Sequence, residues 1–247
     1  MRNTLLRRAL SPPAPRQALI GVPEGPAAQA AMRGEDTLDR HVLSLDLAEG
    51  DVAHIRRSSL MLAEGAFGMK TRRIASKRVP VMGLFSGQNL WANRFEAEGP
   101  ARLVAGRDYH GIVLGLTVTE AQPVWLQPSL YLGHAGALGF TVKRVARREF
   151  WTLTRVTGEG IVYVKVPGRT FTTPLTGRDL IVDTNYVAAI RGAFSAHGKV
   201  FSAGQYLRSG EAENVRLTGD GDVIMQTELP PEAGGGGILG GLLDLFI

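Results

Sequence analysis

One hexapeptide recurs at a fixed interval, and that interval limits what the chain can become. Arg216-Leu217-Thr218-Gly219-Asp220-Gly221 repeats, type for type, Arg155-Val156-Thr157-Gly158-Glu159-Gly160, which stands 61 positions earlier. Another 61 positions back lies a worn copy, Arg94-Phe95-Glu96-Ala97-Glu98-Gly99, keeping the Arg, the apolar second position, the acid and the last Gly. Polar–apolar alternation flanks the copies, as in Leu153-Thr154-Arg155-Val156 before and Ile161-Val162-Tyr163-Val164-Lys165-Val166 after. An acid beside Gly between two strand-like runs predicts a tight hairpin, because Gly takes positive φ without strain. The spacing therefore predicts hairpins at Glu98-Gly99, Gly158-Glu159 and Gly219-Asp220, and a β unit repeated three times.

The remaining pattern agrees with short strands. From His41, period-two alternation carries Val42, Leu43, Leu45 and Leu47 to a turn at Glu49-Gly50-Asp51. Ile55 follows, then Ser59-Leu60-Met61-Leu62, ending at a Glu64-Gly65 turn; Ser129-Leu130-Tyr131-Leu132 answers it. Thr71 and Thr141 each stand twelve positions after their Ser, and Leu180–Ile190 leads to a third turn at Arg191-Gly192. No segment has helical periodicity with caps at both ends. The fold expected is all-β: repeated short double-stranded β-helix or β-sandwich units with little helix, at about 40–104, 105–167 and 168–229. The length suffices for a sizeable core, and 31 glycines suit many turns.

Both ends differ from this body. Residues 1–39 read as a disordered or strap-like arm: Arg2, Arg7 and Arg8 interrupt its leucines, and Ser11-Pro12-Pro13-Ala14-Pro15 stops any helix. Arg-rich and poor in acids, the arm also imitates a mitochondrial presequence. Residues 230–247 are a Gly-rich linker and an apolar tail, in which Leu239, Leu242, Leu243, Leu245, Phe246 and Ile247 form a candidate interaction segment for a protein partner or a membrane surface. The stretch is too short to span a bilayer, which needs about 20 apolar residues.

The net charge of +5 resides in two short runs. Lys70, Arg72, Arg73, Lys77 and Arg78 form one; Lys143, Arg144, Arg147 and Arg148 form the other; without these nine the chain would stand at −4. They are candidate anion-binding residues, for nucleic acid or lipid headgroups, or else solvated connections between strands. Neither run has the interleaved aromatics that single-strand binding uses. Arg94, Arg155 and Arg216 each precede an acid (Glu98, Glu159, Asp220) and either brace a hairpin or, in an oligomer, form a ring for an anion.

Signals for chemistry are weak. The chain has no Cys, so it offers no disulfide and no thiolate, in keeping with a reducing, cytoplasmic setting. His41, His54, His110, His134 and His197 show no metal-ligand spacing. Ser86 is one residue out of register for a nucleophile elbow, and the Gly-x-Gly-x-x-Gly at Gly235, Gly237 and Gly240 arises from a Gly run with no βαβ unit around it. Trp91, Trp125 and Trp151 read as core or interface fillers. No catalytic residue, metal or cofactor is expected.

Gly83-Leu84-Phe85-Ser86-Gly87-Gln88-Asn89-Leu90-Trp91-Ala92-Asn93-Arg94-Phe95 resembles the Gly-Leu-Phe-Ser-Gly-Glu-(x)-Leu-Phe-x-Asn-Arg-Phe stretch of the altered-inheritance-of-mitochondria protein 24 family. The Thr-Gly-x-Gly runs near 157 and 218 and the poly-Gly, Leu-rich tail are similar too, so the likeness covers about residues 40–247. Gln88 stands where the family often has Glu, and Glu96-Ala97-Glu98 replaces a Gly-rich turn. The resemblance implies a fold like the trp RNA-binding attenuation protein and a trimer. It also implies a mitochondrial setting for yeast relatives and stress-associated gene neighbours for bacterial ones. No catalytic residues come with it. The function expected is a non-enzymatic homo-oligomeric scaffold or adaptor joining partners or a membrane through its tails; the alternative is an RNA or anion binder using 70–78 and 143–148.

Overall fold

Strict alternation of buried and half-exposed side chains makes strands of Leu43–Leu47 (β1) and Val52–Arg56 (β2). The turn between them is the one expected: Gly50 sits at φ 83°, and the Asp51 carboxylate accepts the Ala48 N–H at 2.8 Å. In the computed structural model, which describes residues 41–74, 90–145, 151–198 and 214–230, ten further strands follow. They are β3 (Leu60–Arg73), β4 (Trp91–Ala105), β5 (Gly111–Val118), β6 (Val124–Leu126), β7 (Tyr131–Arg144) and β8 (Thr152–Pro167), then β9 (Thr170–Pro174), β10 (Leu180–Asp183), β11 (Val187–Gly198) and β12 (Asn214–Gln226). Single 3-10 turns at Pro128–Leu130 and Thr184–Tyr186 lead into β7 and β11. The arm (1–39), Lys77, Arg78, Gly83–Asn89, Arg147, Arg148 and the tail residues Leu239 to Ile247 lie outside the described residues.

The protein is all-β, as expected, but hydrogen bonding joins the strands into one antiparallel sheet rather than separate sandwiches. Its order is β1-β4-β2-β7-β8-β6-β11-β12-β10, with β3 on β4, β5 on β8 and β9 on β12. One pairing scheme recurs. β4 carries β3 along one side and β1 and β2 along the other. β8 carries β7 opposite β5 and β6, and β12 carries β11 opposite β9 and β10. Short strands then bridge forward: β2 pairs with β7, and β6 pairs with β11.

The three expected hairpins are corrected. Gly158-Glu159-Gly160 lies inside β8, where Thr157 faces Gly139 and Gly160 faces Gly136, both on β7. Gly219-Asp220-Gly221 lies likewise inside β12 against Phe194, Ala193 and Gly192. In β4, Glu98, Gly99 and Pro100 bulge opposite Ala66 alone. Glu64-Gly65 and Arg191-Gly192 are also mid-strand. Most of these glycines do have the anticipated backbone, since Gly65, Gly158, Gly192 and Gly219 have φ of 94°, 105°, 95° and 144°, whereas Gly99 is not among the positive-φ glycines. What they supply is a bend with close approach between two long strands. A Cβ on Gly158 would meet the Ala137 carbonyl oxygen at 2.1 Å.

The core has three clusters, and each of them crosses between strand groups. Leu45, Ile55, Phe95 and Leu103 take in Leu132, Ile161 and Tyr163 from β7 and β8. Leu126, Tyr131, Val156 and Val164 take in Ala188, Ala189 and Ile224 from β11 and β12. The third, around Val182, Val187, Val215, Leu217 and Val223, draws Leu153 from β8 and Trp151 from just before it but contains nothing from β1–β4.

Candidate functional site

The described members of the two basic runs occupy matching places on the outer halves of β3 and β7. Arg72 faces Ala92 and Lys143 faces Leu153; Arg73 faces Trp91 and Arg144 faces Thr152, partners again 61 residues apart. All four basic side chains are exposed, as is Lys70. The threonine correspondence is one residue out. Thr71 faces Asn93, whereas Thr141 faces Arg155, whose counterpart Arg94 faces Lys70. Side chains alternate across a strand, so this single step decides which groups share a face.

Lys70 therefore begins a row across four strands: Lys70 on β3, Arg94 on β4, His54 on β2 and His134 on β7. Like charges directly opposite each other repel, and Glu96 relieves the first pair by accepting a hydrogen bond from Arg94. That hydrogen bond, the Arg94 charge and then Lys70 hold the Glu96 carboxyl below its usual range. His54 and His134 stack with ring centres 4.2 Å apart and planes 3° from parallel. Burial first, then Arg94 and Arg72, lower the His54 pKa to about 4. His134 is lowered well below the ordinary imidazole value, by burial and then by His54. Burial also keeps Tyr131 protonated. Its hydroxyl shares a hydrogen bond of 2.7 Å with His134 Nδ1. The row is exposed and cationic at one end, and buried and neutral at the other.

The equivalent row of the next strand group is built differently. The Arg155 guanidinium lies over the Trp125 ring, 5.6 Å from its centre, and Trp125 packs edge-on to Phe194. Beside them a groove of about 680 Å³ is lined by Trp125, Lys143, Arg144, Phe194, Ser195 and His197. An aromatic face thus adjoins the second basic run, which sequence spacing did not reveal because Trp125 and Lys143 lie on different strands.

The expected Arg–acid braces are replaced by other contacts. Arg94 pairs with Glu96 rather than Glu98, and Arg216 lies 3.8 Å from Asp179 rather than against Asp220, which accepts from the Thr176 hydroxyl. The Glu159 carboxylate accepts the Glu120 N–H. Among the tryptophans, Trp151 is buried as expected and Trp125 half-buried, but Trp91 is exposed. Among the described residues no group of three or more His, Asp or Glu side chains is placed to hold a metal ion. The His54–His134–Tyr131 cluster was missed in the sequence, as was buried Lys165, whose Nζ donates to the Arg107 carbonyl oxygen at 3.2 Å. Their signal was weak: single polar residues inside apolar runs.

Comparison with known proteins places this architecture. A protein of Streptococcus pyogenes, known from an X-ray crystal structure, superposes with a TM-score of 0.61 at 15% identity, over 83% of this chain and 94% of its own. At that identity the likeness is one of fold. No curated protein matches the chain significantly. The family model described as "Mitochondrial biogenesis AIM24" matches residues 34–228, which takes in every described strand, and the chain belongs to that family.

Proposed function

We propose that this protein is a non-enzymatic, homo-oligomeric scaffold that joins copies of itself, and through its ends a protein partner or a membrane surface. The observation that carries the reading is the distribution of apolar surface. Most of the exposed large apolar side chains among the described residues gather in two places, Met61 and Leu62 at the start of β3 and Phe171, Ile181 and Tyr186 around β10, while Met69, Trp91 and Leu229 stand apart; β3 and β10 both have an edge that pairs with no other described strand. Exposed edges with apolar side chains are ordinarily covered by another chain. A structural role for the perturbed groups accords with this, since His134 and Tyr131 turn inward, where packing uses them. No helix among the described residues is long and apolar enough to cross a membrane. Membrane contact on this reading is peripheral, through residues 238–247, and the family's description makes a mitochondrial setting one to examine beside the cytoplasmic one. Light scattering on the full-length chain at micromolar concentration tests the proposal. A multiple of the chain mass, three being expected, supports it, and a monomer refutes it.

The groove beside Trp125 favours a second reading, an anion or RNA binder. Cationic Lys143 and Arg144 beside an aromatic ring offer phosphate and base contacts together. Affinity for a single-stranded oligonucleotide falling steeply with salt, and lost in Lys143→Glu/Arg144→Glu, would support it. Binding insensitive to both would remove it.

A further inference from the structure

We propose that the open edges of β10 and β3 are the two halves of one head-to-tail interface between copies of this chain. The inference rests on the oligomeric reading above and specifies the surface that builds the oligomer. Its ground is that the same junction already occurs twice inside the chain.

The internal junctions have one register. In the first, Ala53, His54 and Ile55 of β2 face Ala135, His134 and Gly133 of β7. In the second, Val124, Trp125 and Leu126 of β6 face Arg191, Ile190 and Ala189 of β11. Receiving strands correspond through two landmarks. One is the positive-φ glycine, at Gly65, Gly136 and Gly192. The other is an irregularity near the strand start, between Leu60 and Leu62, Tyr131 and Gly133, and Val187 and Ala189. Donor strands correspond through the repeat arginines, since His54 faces Arg94, Trp125 faces Arg155 and Ile181 faces Arg216. Carried forward, the scheme requires Leu180, Ile181 and Val182 to face Glu64, Ala63 and Leu62. Within the chain they do not, for among the described strands β10 pairs only with β12 and β3 only with β4.

Burial shows that both halves lack what covers their counterparts. Leu132 and Ala188 are fully buried, each entering the core of the preceding strand group, whereas the corresponding Met61 is 65% exposed. Gly133 and Ala189 are buried, but Leu62 is 51% exposed. On the donor side Ile181 is 51% exposed, and an apolar hollow of about 510 Å³ runs beside it, lined by Phe171, Leu180, Tyr186, Val223 and Met225. Met61 of a second copy, docked in this register, enters the third core cluster, the one that receives nothing from β1–β4. The end of β10 carries an acid, Asp183, and the hollow beside Met61 at the β3 entrance is lined by Arg56, Arg57 and Arg107 against a single acid, Asp108. The contact is heterologous, with each copy donating at β10 and receiving at β3, so repetition closes a ring or extends a filament.

The chain has no cysteine, which makes trapping clean. Full-length Ile181→Cys and full-length Ala63→Cys are prepared separately, mixed, allowed to exchange subunits and treated with a short thiol-to-thiol cross-linker. Cross-linked dimer should form in the mixture at ten times or more the yield of either variant alone. Separately, Leu62→Lys/Ile181→Lys should reduce the mass by light scattering to that of one chain, with the wild-type far-UV spectrum retained. If that variant fails to fold, the cross-linking result still decides. An oligomer that gives no Ile181–Ala63 cross-link overturns this interface but leaves the oligomeric reading standing, whereas a monomeric wild type overturns both. Two other outcomes also overturn it. One is cross-linking confined to a single chain in an Ile181→Cys/Ala63→Cys variant. The other is cross-linking that appears only after residues 238–247 are deleted, which would make the tail the occupant of the edge.

Discussion

Acid should loosen the junction between β2 and β7, and His54 allows the effect to be sized. Above pH about 6.5 an unfolded histidine and His54 in the fold are both neutral, so the residue makes no pH-dependent difference. As the pH falls from there toward 4, the unfolded chain takes up a proton that the folded chain refuses, because burial, Arg94 and Arg72 hold His54 down to about 4. The unfolded state binds more protons over that window, so stability falls as the pH falls. Between pH 7.5 and 4.5 the full shift corresponds to about 2.6 kcal/mol at 1.36 kcal/mol per pH unit. His54 is only partly buried, and solvent screening brings the expected loss to about 1 kcal/mol. His134 adds a loss of the same sign. The control is His54→Phe, which keeps a flat ring against His134 and removes the titration. Urea melts at equal protein concentration should show wild type losing about 1 kcal/mol more than the variant between the two pH values. An equal loss in both proteins, or a larger one in the variant, would refute the account of His54 as a neutral, buried stack.

Three further outcomes test the fold. Gly158→Ala places a methyl group 2.1 Å from the Ala137 carbonyl oxygen at a φ of 105° and should cost about 2 kcal/mol or more; Gly50→Ala, at positive φ in open space, should cost about 1 kcal/mol by the same chemical melt. Phe95→Ala empties a fully buried site in the first core cluster and should cost about 3–5 kcal/mol in an equilibrium melt. Arg56 donates across the β2–β7 junction to the Ser129 carbonyl oxygen at 2.7 Å. Arg56→Ala should cost about 1–3 kcal/mol, and hydrogen exchange should quicken first at Ala53–Ile55 and Gly133–Ala135.

The hexapeptide recurrence, the period-two runs and the absence of capped helical segments were enough to determine an all-β chain. These are local properties, readable because a strand's pattern of burial is written in consecutive residues. The glycines of the two full copies of the hexapeptide were legible as positive-φ positions for the same reason, whereas Gly99 of the worn copy was not one. Whether such a glycine turns the chain back or bends a strand that continues was not legible. A turn requires its own flanks to pair with each other, whereas Thr157 and Gly160 pair with β7, and the choice between these partners is made by packing. The basic runs were visible as composition, and their matching places on β3 and β7 followed from spacing. The one-residue error in aligning Thr71 with Thr141 hid the row from Lys70 to His134, because a single step in register moves a side chain to the other face of the sheet. Residues joined only across strands, such as His54 with His134 or Trp125 with Lys143, left no local mark at all. The open edges at β3 and β10 are the extreme case. Met61 and Leu62 read like any other apolar strand residues, and only the pairing of the twelve described strands decides which of their apolar side chains those strands leave without a cover.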